Sequence, residues 1–445
     1  MENRFNNQLV EDYEREPVPQ HKRKGWIKLS IVWIGGIVAL SATALGGALG
    51  AGMAMGDALI ATFIGCFILA VLSALCCTVG AKTGLSTPFV SMFALGRYGS
   101  FAVSAIVAIS LFGWFGVQLD LFGSSLQSIL FDVFGWNVNQ KLLVILGGVL
   151  MTTTAFIGYK AIEKLSLFAV PLLAALLIAS LMKVMNGRDL SEVAAAPLTS
   201  DPLSVGVAIS LIIGSLAVGA IIGPDISRYA KSVKDAVISS FVGFFVGFSI
   251  VLIIAALLAK ATTQVDIVEI MLGLGWGTGA LLILILAQWT TNDNNLYSSA
   301  LGFSVIFQSV PKYILTIVAG VIGTGMAVGG IYENFIPFLI FLSALIPPIG
   351  GIYVVDYLMN KKKYSFENLA DNVPVNWGSA AVWVMAALVA FMTAPAPNGF
   401  GLFTFTGASG FDAFLAACVF QFIFNKFLQG APAVVALSNQ RGSIK

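Results

Sequence analysis

The sequence predicts an all-α polytopic membrane protein with about twelve transmembrane helices. Three observations predict it. The 445-residue chain is 58% hydrophobic and only 10% charged, with mean hydropathy +0.91, more apolar surface than a water-soluble core of this size hides. Many apolar runs reach the roughly 20 residues that a helix needs to cross a bilayer core. The 46 glycines concentrate inside some of those runs, where a soluble helix would avoid them.

In chain order the spans fall near 27–53, 57–80, 101–128, 140–158, 165–185, 204–222, 237–259, 274–294, 312–330, 334–357, 377–394 and 411–429. The polar stretch 1–26 is a tail, and no cleavable signal peptide is expected ahead of the first span. With the N-terminus inside, the outer loops hold only Lys141, Lys183, Arg188 and Lys260. The other 20 of the 24 Lys and Arg fall inside, including "HKRK" before the first span and "KKK" at 361–363. This bias predicts that both termini are cytoplasmic, in the plasma or inner membrane of the cell. The formal net charge of +2 reflects that topology and implies no nucleic-acid partner.

Several chemistries are excluded. Cys66, Cys76, Cys77 and Cys418 lie within spans without paired spacing and read as packing residues. The single histidine, His21, is in the tail, so no metalloenzyme site is expected. "GGALGAG" has no Lys-Ser/Thr ending and follows no strand, so it is not a phosphate loop. No nucleophile–base pattern is present, and the chain is not expected to be an enzyme.

Glycine marks two spans. Span one reads "WIGGIVALSATALGGALGAGM" and span six "GVAISLIIGSLAVGAIIGPDISRY". Close helix packing by small residues is one reading. The other is a pair of broken helices, because spans one and six hold the same place in two successive five-span blocks. That pattern points to an inverted-repeat transporter. The expected organisation is a first five-helix repeat at 27–185, a second at 204–357, two accessory helices at 377–429, and a cytoplasmic tail at 430–445.

Spans three and eight pair under the same mapping, and each carries a Trp and an amide. In "LFGWFGVQLD", Trp114 and Gln118 share a helix face. In "LLILILAQWTTNDNNLYSSALGF", Gln288, Thr291, Asn292 and Asn295 form a polar stripe. Amides, hydroxyls and carboxylates are costly in hydrocarbon unless paired. They either form a site or mark the water interface at a helix end, the second reading being strongest for Asn294 and Asn295. The hydroxyls of Thr290 and Thr291, with carbonyls freed in a broken first helix, suit a hard cation such as Na⁺. Asp120 points away from the Trp114 face and reads as a network residue. Asp225, Asp356 and "RYAKSVK" read as anchors and inner-gate contacts, and Pro347-Pro348 is expected to bend span ten.

Six stretches together resemble the nucleobase–cation symporter family, nearest its cytosine-permease branch: "PVPQHKRKGW", "GAKTGLST", "FGWFGV", "PDISRY", "WTTNDNNLYSSALGF" and "IPPIGGIYVVDYLMNKKKY", with "VNW" at 375–377. The resemblance implies two inverted five-helix repeats plus two further spans, and a substrate held between spans one, three, six and eight. It implies a Na⁺ site from the carbonyls of Gly35, Val38 and Ala287 with the hydroxyls of Thr290 and Thr291, H⁺ being the other possible coupling ion. It implies a substrate site of Trp114, Gln118, Ser215, Leu216, Gln288 and Asn292, with Trp114 the platform for a flat ring and amides reading its polar edge. Leu111 stands where cytosine permeases have glutamine, and Leu216 and Val218 where they have an aromatic and a serine. Gln118 instead resembles hydantoin-transporting relatives. The expectation is cation symport of a nucleobase or similar planar N-heterocycle by alternating access. The alternative is sodium symport of an amino acid or a hydantoin- or allantoin-like solute. The expected partners are that substrate and the lipid bilayer, the protein working as a monomer without further cofactors.

Overall fold

The computed structural model describes residues 17–428 apart from 158 and 308. The expected tail at 430–445, and the first sixteen residues of the expected tail at 1–26, lie outside the described residues. Six described helices or helix runs are long and apolar enough to cross a membrane, seven with the bent pair Trp26–Ile37 and Leu40–Gly52 counted as one span. Four shorter apolar helices, Gln140–Phe156, Val205–Ile221, Lys312–Val328 and Trp377–Thr393, fill the fourth, sixth, ninth and eleventh places. Helix Gly277–Ile306, whose polar centre lowers its hydropathy, is the eighth.

The helix pairings follow the repeat. Helix Leu40–Gly52 of span one packs on Phe248–Thr262 of span seven, and Met55–Thr83 of span two packs on Val205–Ile221 of span six. Exchanging one with six and two with seven turns the first pairing into the second. In the other group, span three (Arg97–Phe134) packs on spans four, eight and nine, and span eight on four and nine. Span five, which includes Phe168–Met185, bridges the groups through spans seven and eight.

Many glycines serve close packing. A Cβ at Gly46 or Gly50 would collide with the backbone of Leu252 or Ala256 in span seven, and one at Gly214 with the Leu339 carbonyl in span ten. Gly35 and Gly36 differ, since a Cβ on either would meet nothing within 4 Å. The first span breaks beyond that pair, at Val38–Ala39, where the two helices meet at 65°. Span six runs unbroken past Gly214 and Gly219. It ends at Ile222, and a short helix Gly223–Ser227 follows, with Pro224 in its first turn. Its interruption therefore sits at the Gly-Pro step near the basic end, where proline can begin a helix but cannot continue one.

Span eight also departs from its expected limits. Its helix continues to Ile306 instead of ending near 294, so Thr290–Asn295 lies at its middle. Asn294 is exposed and Asn295 half-buried, but neither is at a helix end. Span ten restarts at Pro347 after Phe335–Leu345, as the two prolines require.

The basic end is tied together by its anchors. Lys24 N–H donates to the Tyr229 carbonyl (2.6 Å) and Lys231 N–H to that of Lys24 (3.0 Å), joining the segment before span one to the loop after span six. Asp225 accepts the Thr87 N–H at 2.7 Å. Fully buried Asp356 accepts from Tyr364 (2.7 Å), Asn425 (3.0 Å) and Asn360 (3.1 Å), with Lys363 Nζ at 3.5 Å. At the other end Gln140 donates to Asp120 Oδ1 at 2.8 Å, tying span three to span four.

Candidate functional site

The break in span one frees particular carbonyls. In a continuous helix the Gly35 carbonyl would receive Ala39 N–H and the Val38 carbonyl Ala42 N–H. Here Ala39 N–H goes to Ile37 (2.9 Å) and Ala42 N–H to Ala39 (3.1 Å). The Gly35 and Val38 oxygens thus lose their regular partners, beside the open space at Gly35. On span eight the Thr290 and Thr291 hydroxyls each donate to the Ala287 carbonyl at 2.9 Å. With their protons so placed, both hydroxyl oxygens keep lone pairs for a cation. Thr290 is buried and Thr291 half-buried, and helix Leu40–Gly52 touches span eight.

Trp114 and Gln118 lie one turn apart on span three, both buried. The Trp114 ring meets Phe338 of span ten edge-on (5.5 Å, 73°) and Phe335 likewise (6.1 Å, 77°). Gln118 donates to Ser41 Oγ at 3.2 Å, just past the break in span one, while its Oε1 is buried without a partner. Trp114 and Gln118 therefore connect span three to spans ten and one.

Gln288 and Asn292 turn elsewhere. Asn292 Nδ2 donates to the Phe115 carbonyl (3.1 Å) and to Met151 Sδ on span four (3.3 Å), and Gln288 Nε2 to Ser125 Oγ (3.2 Å). Both sit on the flank where span eight meets spans three and four, apart from the Gln118–Ser41 contact. Each keeps a buried amide oxygen without a partner. Ser215 donates its hydroxyl to the Ile212 carbonyl of its own helix at 2.8 Å, and Leu216 is half-buried beside it.

Sequence reasoning passed over Ser41, Phe335 and Phe338. Ser41 had a signal, as a polar residue three positions past the break in "VALSATAL". The two phenylalanines had only their i, i+3 spacing. Also missed was a chain in which Trp289 Nε1 donates to Thr154 Oγ1 (3.0 Å) and Thr154 to buried Asp293 (2.8 Å), locking span eight to span four.

A broken first helix, paired repeats and the buried, unpartnered Gln118 amide oxygen beside the break define a multi-span membrane transporter. Residues 17–416 match the family described as permeases for cytosine/purines, uracil, thiamine and allantoin, and the chain belongs to that family. The cytosine permease of Escherichia coli (strain K12) is 36% identical over 366 residues, 82% of this chain and 85% of that protein. The hydantoin permease of Microbacterium maritypicum is 23% identical over 407 residues, 83% and 81% of the two chains. Among solved structures, the inward-facing conformation of Mhp1 superposes with TM-score 0.79 at 22% identity, covering 93% of this chain and 92% of that one. Mhp1, a nucleobase-cation-symport-1 family transporter, in a closed conformation with bromovinylhydantoin bound gives 0.75 at 20% identity, covering 96% and 98%. These relatives are permeases and transporters, not enzymes.

Proposed function

We propose that this protein imports a small planar N-heterocycle, a nucleobase or close analogue, by Na⁺ symport with alternating access. The observation that carries the reading is the Trp114–Gln118 pair: a broad ring, and one turn away a buried amide oxygen with no donor. A ring N–H would satisfy that oxygen, and stacking of a base on an aromatic contributes about 1–3 kcal/mol. The Gly35 and Val38 carbonyls with Ala287, Thr290 and Thr291 form the proposed Na⁺ ligand set, all neutral oxygens as a hard monovalent cation prefers. Inward Na⁺ movement supplies roughly 2.3 kcal/mol per charge per 100 mV. The proposed topology has both termini in the cytoplasm, which the bias of Lys and Arg toward one side supports, with the monomer as the unit of transport.

A second reading has one observation in its favour. Leu216 and Val218 line span six where a second aromatic and a hydroxyl would complete a cytosine site. The pocket is then greasier and takes a hydantoin- or allantoin-like ring, or an amino acid, on the same scaffold. A thermal-shift panel of nucleobases, hydantoin, allantoin and amino acids, each with Na⁺ and with choline, separates the two. A nucleobase that stabilises only with Na⁺ supports the first reading; stabilisation confined to hydantoins, allantoin or amino acids replaces it with the second.

A further inference from the structure

Spans five and seven both stop in a left-handed turn on the side opposite the basic end. Span five ends at Met185, where Gly187 (φ +80°) turns the chain back and Arg188 N–H donates to the Met185 carbonyl at 3.2 Å. Span seven ends at Thr262, and Thr263 follows at φ +58°. Helix Ile267–Gly273 then packs on spans seven and eight. Between these pieces lies an open cavity of about 770 Å³. It sits at helix ends, the level of lipid headgroups. Trp276, a residue type that settles at the membrane boundary, immediately precedes the span-eight helix there.

The charge of the lining is unusual for this side. Only Lys141, Lys183, Arg188 and Lys260 are assigned to it by sequence, and two of these four line the one cavity. Each of the two heads is held by a neutral partner. The Lys183 ammonium stands 4.9 Å from the Trp276 ring centroid, and Arg188 Nη1 donates to the Ala261 carbonyl at 2.5 Å. Among the described residues no carboxylate lies within 4 Å of either. Glu269 is the one acid in the lining, which leaves two cations against one anion. The ammonium and most of the guanidinium N–H groups stay available to an anion. Apolar surface adjoins them. Leu272 and Leu274 line the cavity, and Ile178 and Met182, 50% and 69% exposed, lie on span five just before Lys183.

We propose that this cavity is a phospholipid site in the leaflet opposite the basic end, with the lipid phosphate on Lys183 and Arg188. A guanidinium fork and an ammonium are the donors that phosphate oxygens take best, and basic pockets between transmembrane helices hold headgroups in this way. The exposed apolar face of span five beneath the cations argues for a lipid rather than a free phosphate, since acyl chains can lie along it. The test is peptide-resolved hydrogen exchange on the full chain, stripped of lipid in detergent. Phosphatidylglycerol, a diacylglycerol with the same chains, and inorganic phosphate are added separately. With phosphatidylglycerol, exchange across 186–190 and 263–275 should slow several-fold in wild type and stay unchanged in Lys183→Gln/Arg188→Gln. Protection at the basic end serves as the internal control and should be the same in both proteins. No slowing in wild type, or equal slowing in the double variant, overturns the proposal. Diacylglycerol acting as strongly as phosphatidylglycerol would remove the phosphate from it. Inorganic phosphate acting as strongly would make the cavity a soluble-anion site and overturn the lipid assignment.

Discussion

Trp114 packs against Phe335 and Phe338 of span ten at interplanar angles of 77° and 73°, and in the proposed function one of its faces takes the flat ring. Replacing it with Ala removes the proposed stack, and affinity for every flat substrate should fall roughly 10- to 100-fold in equilibrium binding; affinity within a factor of two of wild type would contradict the platform. Gln118→Leu tests the other half of the pair. It leaves the ring in place and removes the free amide oxygen, so a substrate N–H goes unpaired at a cost of about 1–3 kcal/mol. Discrimination between a nucleobase and its N-methylated analogue should collapse in competition uptake, and unchanged discrimination would remove Gln118 from the site. At the basic end, Asp356 is fully buried under three neutral donors and Lys363, whereas the Lys363 side chain is 33% exposed. Asp356→Ala should lower the melting temperature well beyond Lys363→Ala, since truncating the acceptor strands the buried Tyr364 hydroxyl and two half-buried amides while the lysine reaches water. Equal shifts would show that the cluster is not held by the carboxylate. At this scale the sequence showed which residues share a face but not what that face meets. Gln118 and Asn292 look equivalent as amides beside a Trp, yet one reaches Ser41 and the other the Phe115 carbonyl. That choice depends on helix rotation, which span periodicity alone does not set.

The first helix combines both readings of its glycines. Gly46 and Gly50 let Leu40–Gly52 lie against the backbone of span seven, and Gly35 stands beside open space before the break. Gly50→Val should therefore destabilise the protein by about 1–3 kcal/mol or more through overpacking. Gly35→Ala, with room for its methyl, should leave the melting temperature near that of wild type. The reverse order in a melting assay would contradict this division. The break was legible as a property of span one but not at Val38, because it falls between the two glycine pairs rather than on either. Span eight misled in the opposite way. Its polar residues resemble a helix end, but the helix runs on to Ile306 because spans three and four supply partners for Gln288, Asn292, Trp289 and Asp293. Tertiary pairing removed the cost that hydropathy assigns to those groups.

Across the whole molecule, the one–seven and two–six pairings and the tightly packed group of spans three, four, eight and nine give two bodies whose contact includes the candidate site. Twelve crossings were readable because hydropathy is a strong signal over 20 residues, and the family because its motifs run from residue 17 to the start of span eleven. Substrate identity was less legible, because it rests on a few side chains such as Leu111, Leu216 and Val218. The central claim is that cation and flat solute cross together through one site. Its most direct test is uptake of labelled nucleobase into liposomes under an inward Na⁺ gradient, for wild type and for Thr291→Ala of verified fold. Wild type should accumulate the nucleobase, the accumulation should disappear when choline replaces Na⁺, and Thr291→Ala should show no sodium stimulation. Equal uptake in Na⁺ and choline, or full stimulation in Thr291→Ala, would contradict it.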